Sequence, residues 1–290
     1  MIYDVRQVTT YHYDSAVTDA HHALRLTPID RPGQRVHAAA LDVTPAPVER
    51  REGRDFFGNR VTWIKLEQQH DVLSVRVAAR IVVEPPPQPG ETPAWEEVRE
   101  AAVRCTDFSP EAPAHFLFAS RVVSLDPEIR EYAAASFPEG RPVLEGAVDL
   151  MGRIKADFVY EVGATTATTT PPMSFALRRG VCQDFSHVMI SGLRSLGLPA
   201  AYVSGYLRTA RPGDEVKLEG ADAMHAWVLV WCGDDAGWIG LDPTNDMPAG
   251  TDHLVLAIGR DYADVAPIDG VIVAAGGQRL EVAVQVTPVG

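Results

Sequence analysis

Apolar and polar residues alternate through the first third of the chain. Tyr3, Val5, Gln7 and Thr9 occupy every second position, and Tyr11 and Tyr13 continue the period. That is the pattern of a strand with one buried face. Leu24-Arg25-Leu26 and Leu41-Asp42-Val43 are short alternating pieces, and residues 61–66 and 72–77 follow. Turn signals separate them at Arg31-Pro32-Gly33, Pro45-Ala46-Pro47 and Phe57-Gly58-Asn59. Residues 1–84 are therefore expected to form an antiparallel β-rich domain. His21 and His22 are neighbours on a strand and point to opposite faces, so they read as surface or packing residues rather than joint metal ligands.

The proline run at 85–89 marks a boundary, because proline cannot donate to a ladder. Beyond it, residues 90–290 read as a second domain that begins with helices. Asp126 followed by Pro127 is a cap with proline at the first helical position. Leu144, Val148, Leu150, Met151 and Ile154 form a helical stripe that ends near residues 158–160, and Cys105 reads as a packing residue. The threonine-rich stretch 165–170 reads as a linker, with an extended groove wall as the alternative. A helix is expected from Cys182, with Phe185, Met189, Gly192, Leu193 and Leu196 on its buried stripe. Gly197 stops it and Pro199 lies beyond. Strands are expected at 201–207, 225–231 and 237–241, with an exposed loop from Arg211. The tail, 271–273 and 280–286, reads as a closing hairpin around Gly276-Gly277.

Composition narrows the field. The chain has 290 residues and a formal net charge of −13, which argues against nucleic acid as a partner. Three separated cysteines and no Cys-x-x-Cys pair suggest neither a disulfide framework nor structural zinc. No signal-peptide pattern and no run of membrane-spanning length is visible, so a soluble cytoplasmic protein is the expectation.

Candidate chemistry centres on Cys182. A thiol at a helix start lies among unpaired N–H groups that favour its thiolate, the nucleophilic form. Such a nucleophile needs an imidazole, and the imidazole needs a group that orients it. His187 is five residues along the same helix and so points away from the thiol. His225 opens a strand after a turn-like segment. Asp242 ends the next short strand, where Pro243 holds it extended. Two adjacent strands could put His225 beside Asp242. Gln183 and Tyr160 are candidates for a second oxyanion donor. Trp227 and Trp231 share the His225 face by the period of two, so that one of them could wall the site. Cys, His and Asp could also hold zinc, but a helix-start thiol facing a His–Asp pair is more economically a nucleophile, so no metal or cofactor is expected.

Four stretches carry a resemblance. The segments 180–187, 197–206, 222–227 and 237–245 resemble, in order, the core of the bacterial transglutaminase-like superfamily. Arg25-Leu26-Thr27-Pro28 and Asp55-Phe56-Phe57-Gly58-Asn59 resemble the amino-terminal domain that accompanies it, and residues 259–267 the segment that follows it. The resemblance implies an α+β fold: a β-rich first domain, then a papain-like core with a helix-borne cysteine against an antiparallel sheet. It also implies Cys182 as nucleophile, His225 as general base and acid, and Asp242 as orienting group. The implied activity is thiol-dependent acyl transfer on a protein or peptide substrate. Hydrolysis is the first expectation, with Gln–amine crosslinking or a non-catalytic assembly module as alternatives.

Overall fold

The computed structural model describes residues 1–88, 90–208, 219 and 224–289. The expected loop from Arg211 and the turn at 220–223 lie outside the described residues. Six strands make the first third: β1 (Ile2–Val17), β2 (Asp19–Leu24), β3 (Gln34–Thr44), β4 (Glu49–Arg54), β5 (Arg60–Leu66) and β6 (His70–Val83). The alternation in β1 holds as expected, with Tyr3, Val5, Gln7 and Thr9 all buried. β2 begins earlier than Leu24. β4 carries no period at all, because all its residues are exposed.

Helices follow at α1 (Trp95–Arg104), α2 (Pro127–Ala134) and α3 (Val143–Asp157). The Asp126 carboxylate accepts from the Glu128 and Ile129 N–H groups, and so caps α2. In α3 the buried residues include Val143, Ala147, Leu150, Met151 and Ile154. Val148 faces solvent, outside the stripe assigned to it. Cys105 lies just past the end of α1 and is only half-buried. Next come β7 (Val159–Tyr160), α4 (Pro171–Leu177), β8 (Arg179–Gly180) and α5 (Cys182–Ser195). The chain then builds β9 (Ala200–Leu207), β10 (Met224–Trp231), β11 (Trp238–Asp242), β12 (Met247–Pro248), β13 (His253–Gly259), α6 (Tyr262–Val265), β14 (Ile268–Val273) and β15 (Gln278–Pro288).

The central sheet is antiparallel, in the order β12-β11-β10-β9-β13. One face receives α5: Tyr202, Ala226, Val228 and Val230 share a core with Phe185, Met189 and Leu193. The same face continues into the β-rich third, where Tyr206 and Leu254 join the core of β1 and β6, and on the opposite face Val203 and Trp227 pack with Ile29 and Phe116. Burial on both faces explains why β9 and β10 read as unbroken apolar runs. α5 is buried almost all round because α2, α3 and α4 cover the sides that the sheet does not. Arg194, near the end of α5, is tolerated inside because its guanidinium donates to the carbonyls of Ala200, Phe118 and Arg260 and to Ser120 Oγ.

The tail departs from expectation. β14 and β15 do not pair as a hairpin. β14 joins β2, and β15 joins β1, each completing a four-stranded sheet of the first third. The chain thus ends in the same sheets in which it begins.

Two amides fasten the first third to the central sheet. β13 is an edge strand, whose outer N–H and C=O groups need partners. Gln34 Oε1 accepts from the Val255 N–H at 2.7 Å and its Nε2 donates to the Val255 carbonyl at 2.7 Å. Asn59 does the same at Ile258, at 2.8 and 2.7 Å. Asp55 holds Asn59 in place by accepting from both its backbone and side-chain N–H groups. Asn59→Leu should therefore strand two buried backbone groups and lower stability by about 1–3 kcal/mol for each. The urea midpoint measures the loss, and an unchanged midpoint would refute this role.

Candidate active site

Cys182 is the first residue of α5 and is 8% exposed. Val181 precedes it in extended backbone and has no side-chain acceptor, so the cap is half of a capping box: Asp184 Oδ2 accepts the Val181 N–H at 2.8 Å. The same oxygen accepts from Thr165 at 2.6 Å, which ties the threonine-rich loop to the start of the helix. Gly180 is required here by space. A Cβ on it would lie 2.4 Å from the Asp184 carboxylate. The thiol is thus fixed by its helix; the Asp184 N–H donates to the Val181 carbonyl, while the Cys182 and Gln183 N–H groups beside the thiol have no intrahelical acceptor.

His225 enters near the start of β10, opposite Gly205 of β9. Gly205 also matters by space, since a Cβ there would meet the Leu254 carbonyl at 2.2 Å and the Trp227 ring at 2.4 Å. Trp227 therefore lies flat behind His225, with ring centroids 6.1 Å apart and planes at 25°. Asp242 closes β11, and its Oδ2 lies 2.8 Å from His225 Nε2. Both residues are buried.

Asp242 is a hub. Oδ1 accepts from the Thr244 N–H at 3.0 Å and the Asn245 N–H at 3.3 Å. Oδ2 accepts from Asn245 Nδ2 at 2.8 Å and lies 3.2 Å from His253 Nε2. His253 Nδ1 accepts the Gly250 N–H at 3.2 Å, which leaves Nε2 to carry the proton and donate it to Asp242. Burial pushes the Asp242 pKa up, but the His225 and His253 interactions outweigh it and hold the carboxyl well below its usual range. Burial likewise opposes a charged His225, but Asp242 and Cys182 overcome it and raise its pKa to about 10. His225 Nδ1 is buried without an aligned partner among the described residues, and Cys182 is the group acting on the ring beside Asp242. Long or misaligned contacts are usual in an unliganded catalytic pair.

The other sequence candidates fall differently. Gln183 lines the cleft, but its Nε2 donates to the Ala167 carbonyl at 3.2 Å. Tyr160 pairs with Gly180 and packs edge-on against Phe185. Its hydroxyl pKa is pushed up by burial and by the neighbouring Cys182, Glu219 and Asp242. Trp227 does not wall the cleft. It is 1% exposed and supports His225 from behind, while Trp231 belongs to the core on the α5 side. His187 turns away as expected, with Nε2 accepting the Tyr262 N–H. His22 is buried and His21 exposed, again as the strand geometry requires. Sequence reasoning passed over His253, which acts across strand order rather than by spacing. His225, Asp242 and His253 bring ligand-type atoms within 4.8 Å of one another. Their hydrogen bonds already account for the three facing atoms, which suits a proton network better than a cation.

A family model described as the transglutaminase-like superfamily matches residues 131–243, and one described as the bacterial transglutaminase-like N-terminal region matches residues 3–84. An uncharacterized protein of Mycobacterium tuberculosis is 38% identical over 296 residues, covering 99% of this chain and 92% of its own. The chain belongs to the transglutaminase-like superfamily. An uncharacterized Mycobacterium leprae protein is 32% identical, with 96% of each chain covered. Among solved structures, a chain from Cytophaga hutchinsonii put forward as a cysteine protease shares this fold. Its TM-score is 0.77 at 23% identity, over 99% of this chain and 90% of that one. The fold is thus the α+β, papain-like architecture that the motifs implied. No helix of the described residues is long and apolar enough to cross a membrane.

The raised His225 pKa has a signed consequence. Its stabilising charge is fully present below pH 6.5, the ordinary histidine value, and is lost as pH rises through about 10. The stability gap between wild type and His225→Gln should be widest below pH 6.5 and close towards pH 10, measured by urea unfolding. A gap that stays constant over that window would contradict the assignment.

Proposed function

We propose that this protein is a thiol-dependent acyl-transfer enzyme that hydrolyses amide or peptide bonds with Cys182, His225 and Asp242. The observation that carries the reading is His225 held between a helix-start thiol and a buried, fully hydrogen-bonded carboxylate. The Cys182 thiolate attacks the amide carbonyl carbon. His225 gives its proton to the leaving nitrogen as the C–N bond breaks, and a thioester remains. His225 then takes a proton from water, which attacks the thioester, releases a carboxylic acid and restores the thiolate. The free first-turn N–H groups of α5 face the developing oxyanion. Tyr160, whose hydroxyl interacts electrostatically with Cys182, is the candidate for a second donor, while Gln183 Nε2 is already engaged with the Ala167 carbonyl. Asp242 accepts from Nε2, so the proton that His225 gives and takes back is the one on Nδ1.

Hydrolysis is favoured over amine transfer because water needs no binding site. The cleft beside Cys182 has a volume of about 270 Å³. The partner implied is a protein or peptide. Incubation with casein and a fluorescent primary amine tests this directly. Peptide fragments that vanish in Cys182→Ala and fall by roughly a hundredfold or more in His225→Ala are expected. Amine incorporation without fragments would make the protein a transglutaminase instead. Neither product, with Cys182 reacting with iodoacetamide no faster at pH 6 than an ordinary thiol, would leave the assembly-module reading.

A further inference from the structure

One wall of the cleft comes from the β-rich third and the tail rather than from the core. Thr9 and Tyr11 of β1 lie directly opposite Val282 and Leu280 of β15, and all four line the space in front of Cys182 and His225. Residues two apart on each strand share a face, so the four side chains form one continuous surface. Ile268 and Pro267 extend it. Leu280 is 51% exposed and Val282 36%, on the same face of β15 that buries Val284 and Val286 further along. The chain carries a net charge of −13, yet among the described residues the lining holds no Asp, Glu, Lys or Arg.

This wall is anchored to the catalytic strand. Gln7, fully inside the protein, donates through Nε2 to Thr9 Oγ1 at 2.9 Å and to Met224 Sδ at 3.6 Å. Met224 adjoins His225. Gln7 Oε1 accepts from the buried Tyr206 hydroxyl at 2.6 Å. A single amide thus sets β1, β9 and the start of β10 in register with one another.

We propose that the β1–β15 ladder is the specificity wall of this site, and that it selects substrates with an uncharged, apolar side chain beside the reacting carbonyl. The inference rests on the acyl-transfer reading above. A side chain lying against Leu280, Val282 and Tyr11 removes apolar surface from water on both partners. A carboxylate or ammonium lying against Leu280, Val282 and Tyr11 would lose its hydration, and those three side chains offer no charge to replace it.

The test compares three thiol reagents at Cys182, with modification followed by peptide mass spectrometry so that Cys105 and Cys232 are scored separately. Iodoacetamide is small and neutral, iodoacetanilide carries an apolar ring, and iodoacetate carries a negative charge. Relative to iodoacetamide, and after correction for their rates with a free thiol, iodoacetanilide should react about tenfold faster. Iodoacetate should not gain in the same way. Leu280→Asp and Val282→Asp change exposed positions and should abolish the preference, read in each variant as the ratio of the iodoacetanilide rate to the iodoacetamide rate. Leu280→Trp, which fills the space, should slow iodoacetanilide selectively. Quenched-fluorescence peptides with Leu, Asp or Lys flanking the scissile bond should show the same order in kcat/KM, with the loss in Leu280→Asp falling mainly on KM. A wild-type protein without the apolar preference, or a preference that survives both aspartates, overturns the wall while leaving the catalytic reading intact. A Cys182 whose iodoacetamide rate is ordinary and indifferent to His225→Ala overturns that reading, and the wall with it.

Discussion

The central sheet of this protein has no solvent face, and most of the architecture follows from covering it. A five-stranded antiparallel sheet with apolar residues on both sides must be packed between two layers. The helices supply one layer, with α5 pressed against β9 and β10. The β-rich third covers the rest of that face at Tyr206 and Leu254, and Ile29 with Phe116 covers the opposite one. Packing alone would leave the outer edge of β13 with unpaired backbone groups, and the Gln34 and Asn59 amides pair with them as a neighbouring strand would. The first third is consequently bound to the central sheet by directional bonds as well as by apolar contact, which fixes its position relative to the thiol.

Inside that frame the site depends on one carboxylate. Asp242 is wholly buried, a costly place for a charge unless every lone pair is used. Backbone N–H groups, Asn245 and two histidines use them. The result is a negative charge that stays ionised and holds His225 in one orientation. His253 spends its second nitrogen on the Gly250 N–H and meets Asp242 through Nε2, so both of its ring nitrogens are engaged.

The cleft also shows how the two ends of the chain acquire a common task. β1 and β15 pair over most of their lengths because the last strand returns to the first sheet. The edge of that ladder then meets the mouth of the site. Gln7 breaks the apolar alternation of β1 for a physical reason, since it accepts from Tyr206 and steadies Thr9 and Met224. A polar residue at a buried register position marks the point where two layers are joined.

The local patterns of the chain determined a good deal alone. Alternation in β1, the Asp126-Pro127 cap, the helix after Cys182 and the three strands from residue 200 to 242 are set by nearest neighbours along the chain, and the fold shows them. Cys182, His225 and Asp242 were legible because each sits at an element boundary with its own local signal. Other features had no such signal. β4 is exposed throughout and has no period to read, and the tail strands look like a hairpin until the partners of each are known. Trp227 shares the His225 face but stands behind it, because Gly205 leaves room for the ring there. His253 and Gln7 reach their partners across 11 residues in one case and about two hundred in the other. Hydrogen bonds over such separations depend on how strands are ordered in sheets and sheets in layers. Periodicity fixes which face a side chain takes, and only tertiary packing decides what that face meets.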